Sequence, residues 1–273
     1  MKFLSKFYIG LIFLILYAPI LVVILFSFNG SGSLSSFSGF SLYWYRELFR
    51  DGEALTALKN SLLLAVLSSL LATLIGTLAA FSISRAKSKR YQRIAEGVSN
   101  IPMMNPDIVT GVSFMLFFAA VVALLQIDDY DSIGFVAMLI AHTTFCLPYV
   151  ILSILPRINE LGESLTEAAL DLGCTPVQAF FKVKLPNILP GVLSGLVMAF
   201  TLSLDDFVIS YFVSPSNFQT LPLLIYSMTK KTVKPDMYAL STIIIITVFT
   251  LLIISNIKGA KKENGNRRKG GKS

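Results

Sequence analysis

The sequence is poor in charged residues, cysteine and histidine, and each shortage excludes a class of protein. Only 14% of its 273 residues are charged, whereas a soluble domain has about 25%. The two cysteines, Cys146 and Cys174, lack a spaced set of partners, and the single histidine is His142. We therefore expect no disulfide framework and no metal site. The Gly-x4-Gly-Lys-Ser/Thr loop that binds nucleotide phosphates is also missing, so we expect this chain neither to bind nor to hydrolyse ATP. We also expect no cofactor and no enzyme activity of its own.

Apolar residues are abundant instead, at 54% of the sequence with a mean hydropathy of +0.71. Six apolar stretches reach about 20 residues, the length that a helix needs to cross a hydrocarbon core of about 30 Å. Because a helix satisfies its own backbone hydrogen bonds in lipid, we predict an all-α polytopic membrane protein with six transmembrane helices. The predicted spans are Tyr8–Phe28, Ser61–Ser84, Ile101–Leu125, Ile133–Leu155, Ile188–Val213 and Tyr238–Ile257.

The distribution of basic residues predicts the orientation of these helices. Segments on one side contain 17 Lys and Arg residues, and the alternate segments contain 6. Because cytoplasmic loops are enriched in Lys and Arg, both termini and the loop 156–187 are predicted to be cytoplasmic. The basic-rich segments are the N-terminus, 85–97, 156–187 and 258–273, and the others are 29–60, 126–132 and 214–237.

The end of the sequence differs in composition from the rest. We predict one transmembrane domain, residues 1–258, followed by a basic cytoplasmic tail, residues 259–273. The Gly, Asn and Lys content of the tail is typical of disordered segments. Because a short basic segment beside a membrane helix typically contacts anionic headgroups, we expect the tail to meet membrane lipid and no nucleic acid.

The predicted cytoplasmic loop 156–187 has the signals of two short helices joined by a turn. Two Ser/Thr-x-x-Glu/Gln patterns predict capping boxes at the starts of the two helices. A glycine between them predicts the left-handed residue that ends a helix, and a later proline predicts the end of the second helix. The small side chains of Ala168 and Ala169 leave a shallow face, which is typical of a segment that fits a groove of another protein. The residues concerned are Ser164 with Glu167, Thr175 with Gln178, Gly173 and Pro186.

Three aspartates lie inside the predicted spans, which contain no Lys or Arg. Ionisable residues in lipid are costly and mark binding sites or pathways, so these acids must be protonated, face water or meet a cation from a partner or a substrate. At 1.5 Å per residue, Asp107 is predicted about 15 Å from the cytoplasmic entry, near the midplane, and Asp206 about 27 Å, near the outer mouth beside Asp205. Pro102 and Pro106 predict either a kinked entry helix or carbonyls exposed to a pore.

Small residues recur every four positions in two of the predicted spans, which predicts close helix packing. At 100° per residue, Asp206 falls on the small-residue face of the fifth span with Asp205 beside it, so both acids are predicted to face the bundle interior. His142 is predicted to hydrogen-bond a neighbouring helix, with a proton relay as the alternative. The two sets are Gly191, Gly195, Ala199 and Ser203 in the fifth span and Ala72, Gly76, Ala80 and Ser84 in the second.

Two of the predicted outer segments contain aromatic candidates for contact with a substrate. After a flexible linker that starts at Asn29, Tyr43–Arg50 is predicted to form an amphipathic helix. Trp44 in this helix belongs by default to the membrane-interface belt, and the alternative is a cation–π contact with a cationic substrate. Leu221–Met228 is predicted to form a short interfacial or re-entrant helix over the mouth, with Tyr226 as a candidate lining residue.

The loop pattern resembles the EAA loop of permease subunits of bacterial ABC importers. The residues that match are Glu167-Ala168-Ala169, Gly173 and Val183-x-Leu185-Pro186, with valine in place of the usual isoleucine. This resemblance implies the type I ABC importer permease fold. It also implies that the loop docks on a dimer of separate ATP-hydrolysing subunits, through Glu167, Ala168, Ala169, Gly173, Leu185 and Pro186.

Three further segments resemble spermidine/putrescine permease subunits of the PotC type. They are Ser203–Ser210, Thr220–Met228 and Ala239–Thr242, and the similarity extends over nearly the whole chain. The resemblance implies a bacterial plasma membrane protein, a second homologous permease subunit, an extracytoplasmic polyamine-binding protein and a polyamine substrate. The residues proposed for the substrate pathway are Asp107, Asp205, Asp206, Ser203, Trp44 and Tyr226.

Other functions remain as alternatives at this point. An ABC importer permease for another substrate would share the loop and the spans. An ion-coupled secondary transporter could also use membrane aspartates, but no inverted repeat is apparent in the sequence. An intramembrane aspartyl protease is disfavoured because the Gly-x-Gly-Asp context is absent.

Overall fold

The computed structural model is mostly helical in its described part, as predicted. It describes residues 2–250 apart from 32–35, 37, 51, 87, 128, 163, 231–236, 244 and 248, and no strand occurs among these residues. The helices are α1 (Lys2–Ser27), α2 (Tyr43–Arg50), α3 (Gly52–Ser84), α4 (Lys89–Met104), α5 (Asp107–Leu124), α6 (Gly134–Leu161), α7 (Ser164–Asp171), α8 (Pro176–Ala179), α9 (Leu185–Asp205), α10 (Val208–Val213) and α11 (Leu221–Lys230), with a 3-10 turn at Tyr130–Ser132 and a π-helical turn at Phe180–Lys184.

Five helical segments are long and apolar enough to cross a membrane, and they match the first five predicted spans. They are Lys6–Ser27, Gly52–Ser84, Asp107–Leu124, Gly134–Leu161 and Pro176–Asp205. The sixth predicted span is helical over residues 237–243, 245–247 and 249–250. Its remainder lies outside the described residues, as does the predicted tail 259–273, so both of these stay predictions.

The chain forms two compact units. Among the described residues, the terminal unit comprises those of 1–58 and 224–250, and the central unit comprises those of 59–223. The central unit contains the long pair α6 and α9, the loop between them and all three candidate aspartates. It is therefore the unit in which the loop 156–187 and the acids can be related to each other.

The third predicted span is not one continuous helix. Helix α4 ends at Met104, Asn105 adopts an extended conformation with φ −77° and ψ 140°, and α5 begins at Asp107. The break falls directly before Pro106, because proline disfavours the helical conformation of the residue that precedes it. The depth estimate for Asp107 assumed an unbroken helix, and that assumption is wrong.

The fifth predicted span is longer at its cytoplasmic end and shorter at its outer end than predicted. The helix runs without interruption from Pro176 to Asp205, 30 residues, and ends there because Asp206 is extended. Pro186 was predicted to end the second loop helix, and this is wrong. In the π-helical turn before it, the Leu185 N–H donates to the Phe180 carbonyl. This wider turn accommodates a residue that lacks an N–H, so the helix continues through Pro186.

Helix α6 packs closely against α9, as the small-residue faces predict. A Cβ added at Gly191 would lie 2.8 Å from the Ser153 carbonyl oxygen, which shows how near the two backbones are. On the α3 side, a Cβ at Gly76 would lie 2.7 Å from Cγ1 of Val150. Small side chains thus let α6 contact both neighbours at backbone distance. The buried members of the two predicted sets are Ala72, Gly76, Ala80, Gly191, Gly195, Ala199 and Ser203.

In the terminal unit, α2 occupies Tyr43–Arg50 as predicted. The prediction of a flexible linker from Asn29 onward is wrong at its first residue. Asn29 is buried, its side-chain amide donates to the Ser36 carbonyl and its side-chain oxygen accepts from the Ser38 N–H. These bonds satisfy a buried amide and fold the chain back on itself, so an isolated bridge pairs Asn29 with Phe40.

Candidate functional site

The turn of the loop 156–187 has the geometry that its sequence predicts. Gly173 has φ +87°, in the left-handed region. The Cys174 N–H donates to the Ala169 carbonyl and the Gly173 N–H to the Leu170 carbonyl, which is the Schellman pattern. At the start of α8, Thr175 and Gln178 form the predicted capping box with reciprocal side-chain to backbone bonds.

One detail of the loop differs from the prediction. Ser164 is the first residue of α7 itself, one position later than the capping position that we predicted for it. Glu167 therefore lies in the first turn of α7 as predicted, and its negative charge is favourable at the positive end of the helix dipole.

The predicted docking residues divide into an exposed set and a packed set. Ala169 is buried and Leu185 is half-buried, so these two hold the loop on its own unit. Beside the exposed set the loop presents apolar side chains, with Leu172 87% exposed. A contiguous exposed apolar surface is typical of a protein interface. The exposed predicted residues are Glu167, Ala168, Gly173 and Pro186, and the exposed apolar neighbours are Leu165, Leu172, Val177 and Phe181.

Asp206 faces the bundle interior, as predicted, and it lies beside the imidazole of His142, a neighbour that we did not predict. Its side chain is 7% exposed, and its Oδ2 lies 3.6 Å from Nε2 of His142, whose side chain is 1% exposed. The carboxylate also accepts from the N–H groups of Ile209 at 3.3 Å and Ser210 at 2.8 Å. Asp206 thus caps the start of α10, where free N–H groups favour an anion.

His142 is the centre of a buried polar cluster. Its Nδ1 lies 2.8 Å from Oγ of Ser203, and its Nε2 lies 3.1 Å from Oγ of Ser210. Ser68 donates to Ser203 at 2.8 Å, so the cluster reaches α3. The predicted hydrogen bond from His142 to a neighbouring helix is therefore confirmed. Ser203, proposed as a pathway residue, lies buried among α3, α6 and α9 and not at an open surface of this chain.

Asp205 and Asp107 have a different environment. Asp205 is the last residue of α9 and is exposed, so the interior position predicted for it is wrong. Asp206 faces inward because α9 ends at Asp205 and the backbone is extended at Asp206. Asp107 is the first residue of α5, is exposed, and lies close enough to Tyr149 for an electrostatic interaction. Tyr149 lies near the middle of the 28-residue α6.

The pairing of Asp206 with His142 could have been suspected from one signal. Ser203, Asp206 and Ser210 lie three and four positions apart, so they form one polar stripe in an apolar segment that contains no basic residue. A single histidine in another apolar span is the natural partner for such a stripe. Helical periodicity alone could not identify the pairing, because the helix breaks between Asp206 and Val208.

The aromatic candidates lie in the terminal unit. The indole N–H of Trp44 donates to the Asn29 carbonyl at 2.9 Å, so this ring supports the folded outer segment. Tyr226 lies in α11, which is the helix predicted over Leu221–Met228 with two more residues at its end. The Lys230 ammonium lies 4.6 Å from the centroid of the Tyr226 ring. Contact of Trp44 or Tyr226 with a substrate stays a prediction.

A second polar contact joins two loops of the central unit. The Asp131 carboxylate accepts from both the N–H and the hydroxyl of Ser216, and the Tyr130 hydroxyl donates to the Val213 carbonyl at 2.7 Å. The Ser216 hydrogen bonds lower the pKa of Asp131, first through the side chain and then through the backbone. Partial burial raises the pKa of Tyr130. In the described part of the chain, no group of three His, Cys, Asp or Glu residues is placed to hold a metal ion.

Comparisons with known proteins agree on a family. Residues 72–258 match the family described as "Binding-protein-dependent transport system inner membrane component". The putrescine transport system permease protein PotI of Escherichia coli is 40% identical over 85% of this chain and 82% of its own length. The spermidine/putrescine transport system permease protein PotC of Haemophilus influenzae is 38% identical over 93% and 96%.

A solved structure shows the same fold. It belongs to a bacterial ABC transporter involved in the import of the acidic polysaccharide alginate. The TM-score is 0.74, with 16% identity and 95% of each chain covered. The all-α architecture predicted from the sequence is therefore the fold of ABC importer permeases. At 16% identity this similarity supports a shared fold and does not indicate which substrate is transported.

Proposed function

The chain belongs to the family of binding-protein-dependent transport system inner membrane components, and from this premise we propose that it forms the polyamine pathway of an ATP-driven importer. It is a multi-pass permease subunit of the bacterial inner membrane and not itself an enzyme. The observation that carries the proposal is the 38–40% identity to putrescine and spermidine/putrescine permeases over most of the chain.

The charges of the central unit support a cationic cargo. Polyamines carry ammonium groups at neutral pH, and ammonium groups bind carboxylates through charge-assisted hydrogen bonds. Asp205 and Asp107 are exposed carboxylates in segments that contain no Lys or Arg. We propose that they form successive contacts for the transported polyamine. Asp107, at the start of α5, would contact it at the level of the middle of α6, and Asp205, at the end of α9, would contact it nearer the outer end of α6.

The loop 156–187 supports coupling to a separate ATPase. Its apolar residues are exposed in this chain, and its rigid turn at Gly173 joins two helices without a flexible linker. The second of these helices is continuous with α9 as far as Asp205, a distance of about 45 Å at 1.5 Å per residue. A displacement of the loop can therefore be transmitted along this continuous helix to Asp205.

The partners of the chain are those of ABC importers in general. More specifically, we propose a dimer of ATPase subunits at the loop 156–187, a second and homologous permease subunit, and an extracytoplasmic polyamine-binding protein. Membrane lipid surrounds the apolar helices.

We propose the following transport cycle for this assembly. ATP binding closes the ATPase dimer, moves the loop that contains Glu167 and Gly173, and opens the pathway outward. The binding protein then releases the polyamine toward Asp205. Hydrolysis reverses the movement, and the cargo passes toward Asp107 and the cytoplasm.

Reconstitution of the complete complex in liposomes tests this proposal. Labelled putrescine, spermidine and an amino acid are supplied outside, with ATP inside and with or without the binding protein. We expect uptake of a polyamine that requires both ATP and the binding protein. Uptake of the amino acid alone would favour a permease for another substrate, and uptake driven by an ion gradient without ATP would favour a secondary transporter.

A further inference from the structure

The break between α9 and α10 is bridged by one side chain from another helix. His142 on α6 contacts Ser203 in the last turn of α9 through Nδ1 and Ser210 in the first turn of α10 through Nε2. The two serines lie on opposite sides of Asp206, where the helix is interrupted. His142 is therefore placed to hold the two helix ends in a fixed relation.

The bridge is buried, so its polar atoms depend on each other. Ser210 is fully buried, and His142 and Ser203 are nearly so. Polar groups that lose their partner in such a place keep the cost of desolvation without a compensating bond. Removing the imidazole would take from the Ser210 hydroxyl its His142 contact and would leave Ser203 with only Ser68, while Asp206 would keep the N–H groups of Ile209 and Ser210.

The helix that the bridge holds cannot maintain its position by itself. Helix α10 has 6 residues, too few for an isolated helix to be stable in the absence of tertiary contacts. Its first turn is capped by Asp206 and packed through Ile209, which is fully buried. The His142 contacts thus add a specific anchor to an element that is short and follows a break.

We propose that His142 is a positioning residue for transport. It fastens α10 to the end of α9, keeps the Asp206 carboxylate inside the bundle, and thereby leaves Asp205 as the carboxylate of the pair that faces the cargo. The transport part of this inference rests on the proposed function, whereas the positioning part concerns the fold of the chain. Because α9 is continuous with the coupling loop, the fastening also ensures that α10 follows the movement of α9.

The first test measures the accessibility of the α10 start in the complete complex. Ile209→Cys is introduced after Cys146 and Cys174 are replaced by serine, and the rate of reaction with N-ethylmaleimide is measured in membranes. We expect His142→Ala to raise the labelling rate by about tenfold, the factor that one lost buried hydrogen bond produces. The matched control is Thr143→Val, since Thr143 is buried beside His142 and its hydroxyl has no hydrogen-bond partner in the described structure.

The second test measures putrescine and spermidine uptake per assembled complex. We expect His142→Ala to reduce uptake by about tenfold, with the amount of complex and its basal ATPase activity unchanged. His142→Gln, whose amide can reach the Ser210 side, should restore part of the uptake, and Thr143→Val should transport like the parent. A defect that is merely structural would instead lower the amount of complex and would not be rescued by glutamine.

The outcomes separate this inference from the proposed function. Unchanged labelling of residue 209 in His142→Ala overturns the positioning role, whatever the uptake. Raised labelling with normal polyamine uptake overturns the transport part. If the parent complex takes up no polyamine but labelling rises in His142→Ala, the proposed function fails and the positioning role stands.

Discussion

The Nε2 atom of His142 lies 3.6 Å from Oδ2 of Asp206, and both side chains are buried between helices that are distant in sequence. The neighbouring acid, Asp205, is exposed. Two adjacent aspartates therefore have different environments, one enclosed with a histidine and one open to the surroundings of the chain. Most of the functional expectations for this protein follow from that difference.

Asp205→Asn and Asp206→Asn should have different consequences. Asp205→Asn removes an exposed charge, so we expect the KM for polyamine uptake to rise about tenfold with normal assembly. Asp206→Asn weakens a buried cap, so we expect a loss of about 1–3 kcal/mol of stability and less assembled complex. Uptake kinetics and thermal unfolding of the purified complex measure the two effects. Identical behaviour of the two variants would refute this division.

Gly173→Pro should uncouple the loop from transport. Proline cannot adopt φ +87° and has no N–H to donate to the Leu170 carbonyl, so the turn between α7 and α8 would be lost. We expect normal expression, no uptake, and no stimulation of ATPase activity by the binding protein. Gly97→Ala is the control, since Gly97 lies within α4 and an added Cβ would have no neighbouring heavy atom within 4 Å. Wild-type uptake by Gly173→Pro would contradict the role of the loop.

Leu172→Glu should separate docking from folding. Leu172 is 87% exposed, so a charge there should change the stability of the permease by no more than about 0.5 kcal/mol. The same charge would be buried without a partner if the ATPase covers this surface, so we expect loss of the ATPase subunit on purification. The control is Glu160→Ala, which removes an exposed ion pair with Arg157. Co-purification of normal amounts of ATPase with Leu172→Glu would exclude Leu172 from the interface.

Gly191→Val should disrupt the pairing of α6 with α9. Even a Cβ at this position would lie 2.8 Å from the Ser153 carbonyl oxygen, and backbone atoms cannot move aside cheaply. We expect a loss of about 1–3 kcal/mol of stability from overpacking, measured as a lower melting temperature in detergent. Gly10→Ala, with no heavy atom within 4 Å of the added Cβ, should be neutral. A stable Gly191→Val variant would show that the two helices can separate.

The contact between Asp131 and Ser216 should stabilise the protein at neutral pH and not in acid. Because the folded-state pKa of Asp131 is lowered, its contribution is fully present above the ordinary value of 3.8 and is lost as the pH falls through the lowered value. Asp131→Ala should therefore lower the melting temperature near about pH 7 and match the parent once the pH is below the lowered pKa of Asp131. Ser216→Ala removes the donor hydroxyl and should reduce the same pH-dependent difference. A destabilisation by Asp131→Ala that persists in acid would point to a different cause.

Local signals predicted local structure well. The Thr175 and Gln178 capping box, the left-handed Gly173 and the helix Tyr43–Arg50 all formed as predicted, because each depends on bonds between residues a few positions apart. The continuation of the helix through Pro186 was missed, because it depends on a π-helical turn with no sequence signal strong enough to predict it.

Breaks and partners within the bundle were harder to predict. Hydropathy measures the apolar content of a segment and not the direction of its backbone. The helix breaks at Asn105 and Asp206 were therefore not predicted, and each lies within a span that was predicted to be one continuous helix. Because the spans contain no Lys or Arg, the acids were expected to be protonated, to face water or to meet a cation from outside the chain. Asp206 instead accepts hydrogen bonds from two backbone N–H groups and lies beside His142.

The amino-acid sequence by itself determined the membrane-spanning class and the local shape of the loop 156–187, because apolar length and helix capping act over short distances. Only the tertiary structure decided which acid is enclosed and which is open. His142 lies 61 and 68 positions from Ser203 and Ser210. Contacts across such distances form when small residues let α6 and α9 approach, and burial then makes each polar group dependent on its partner.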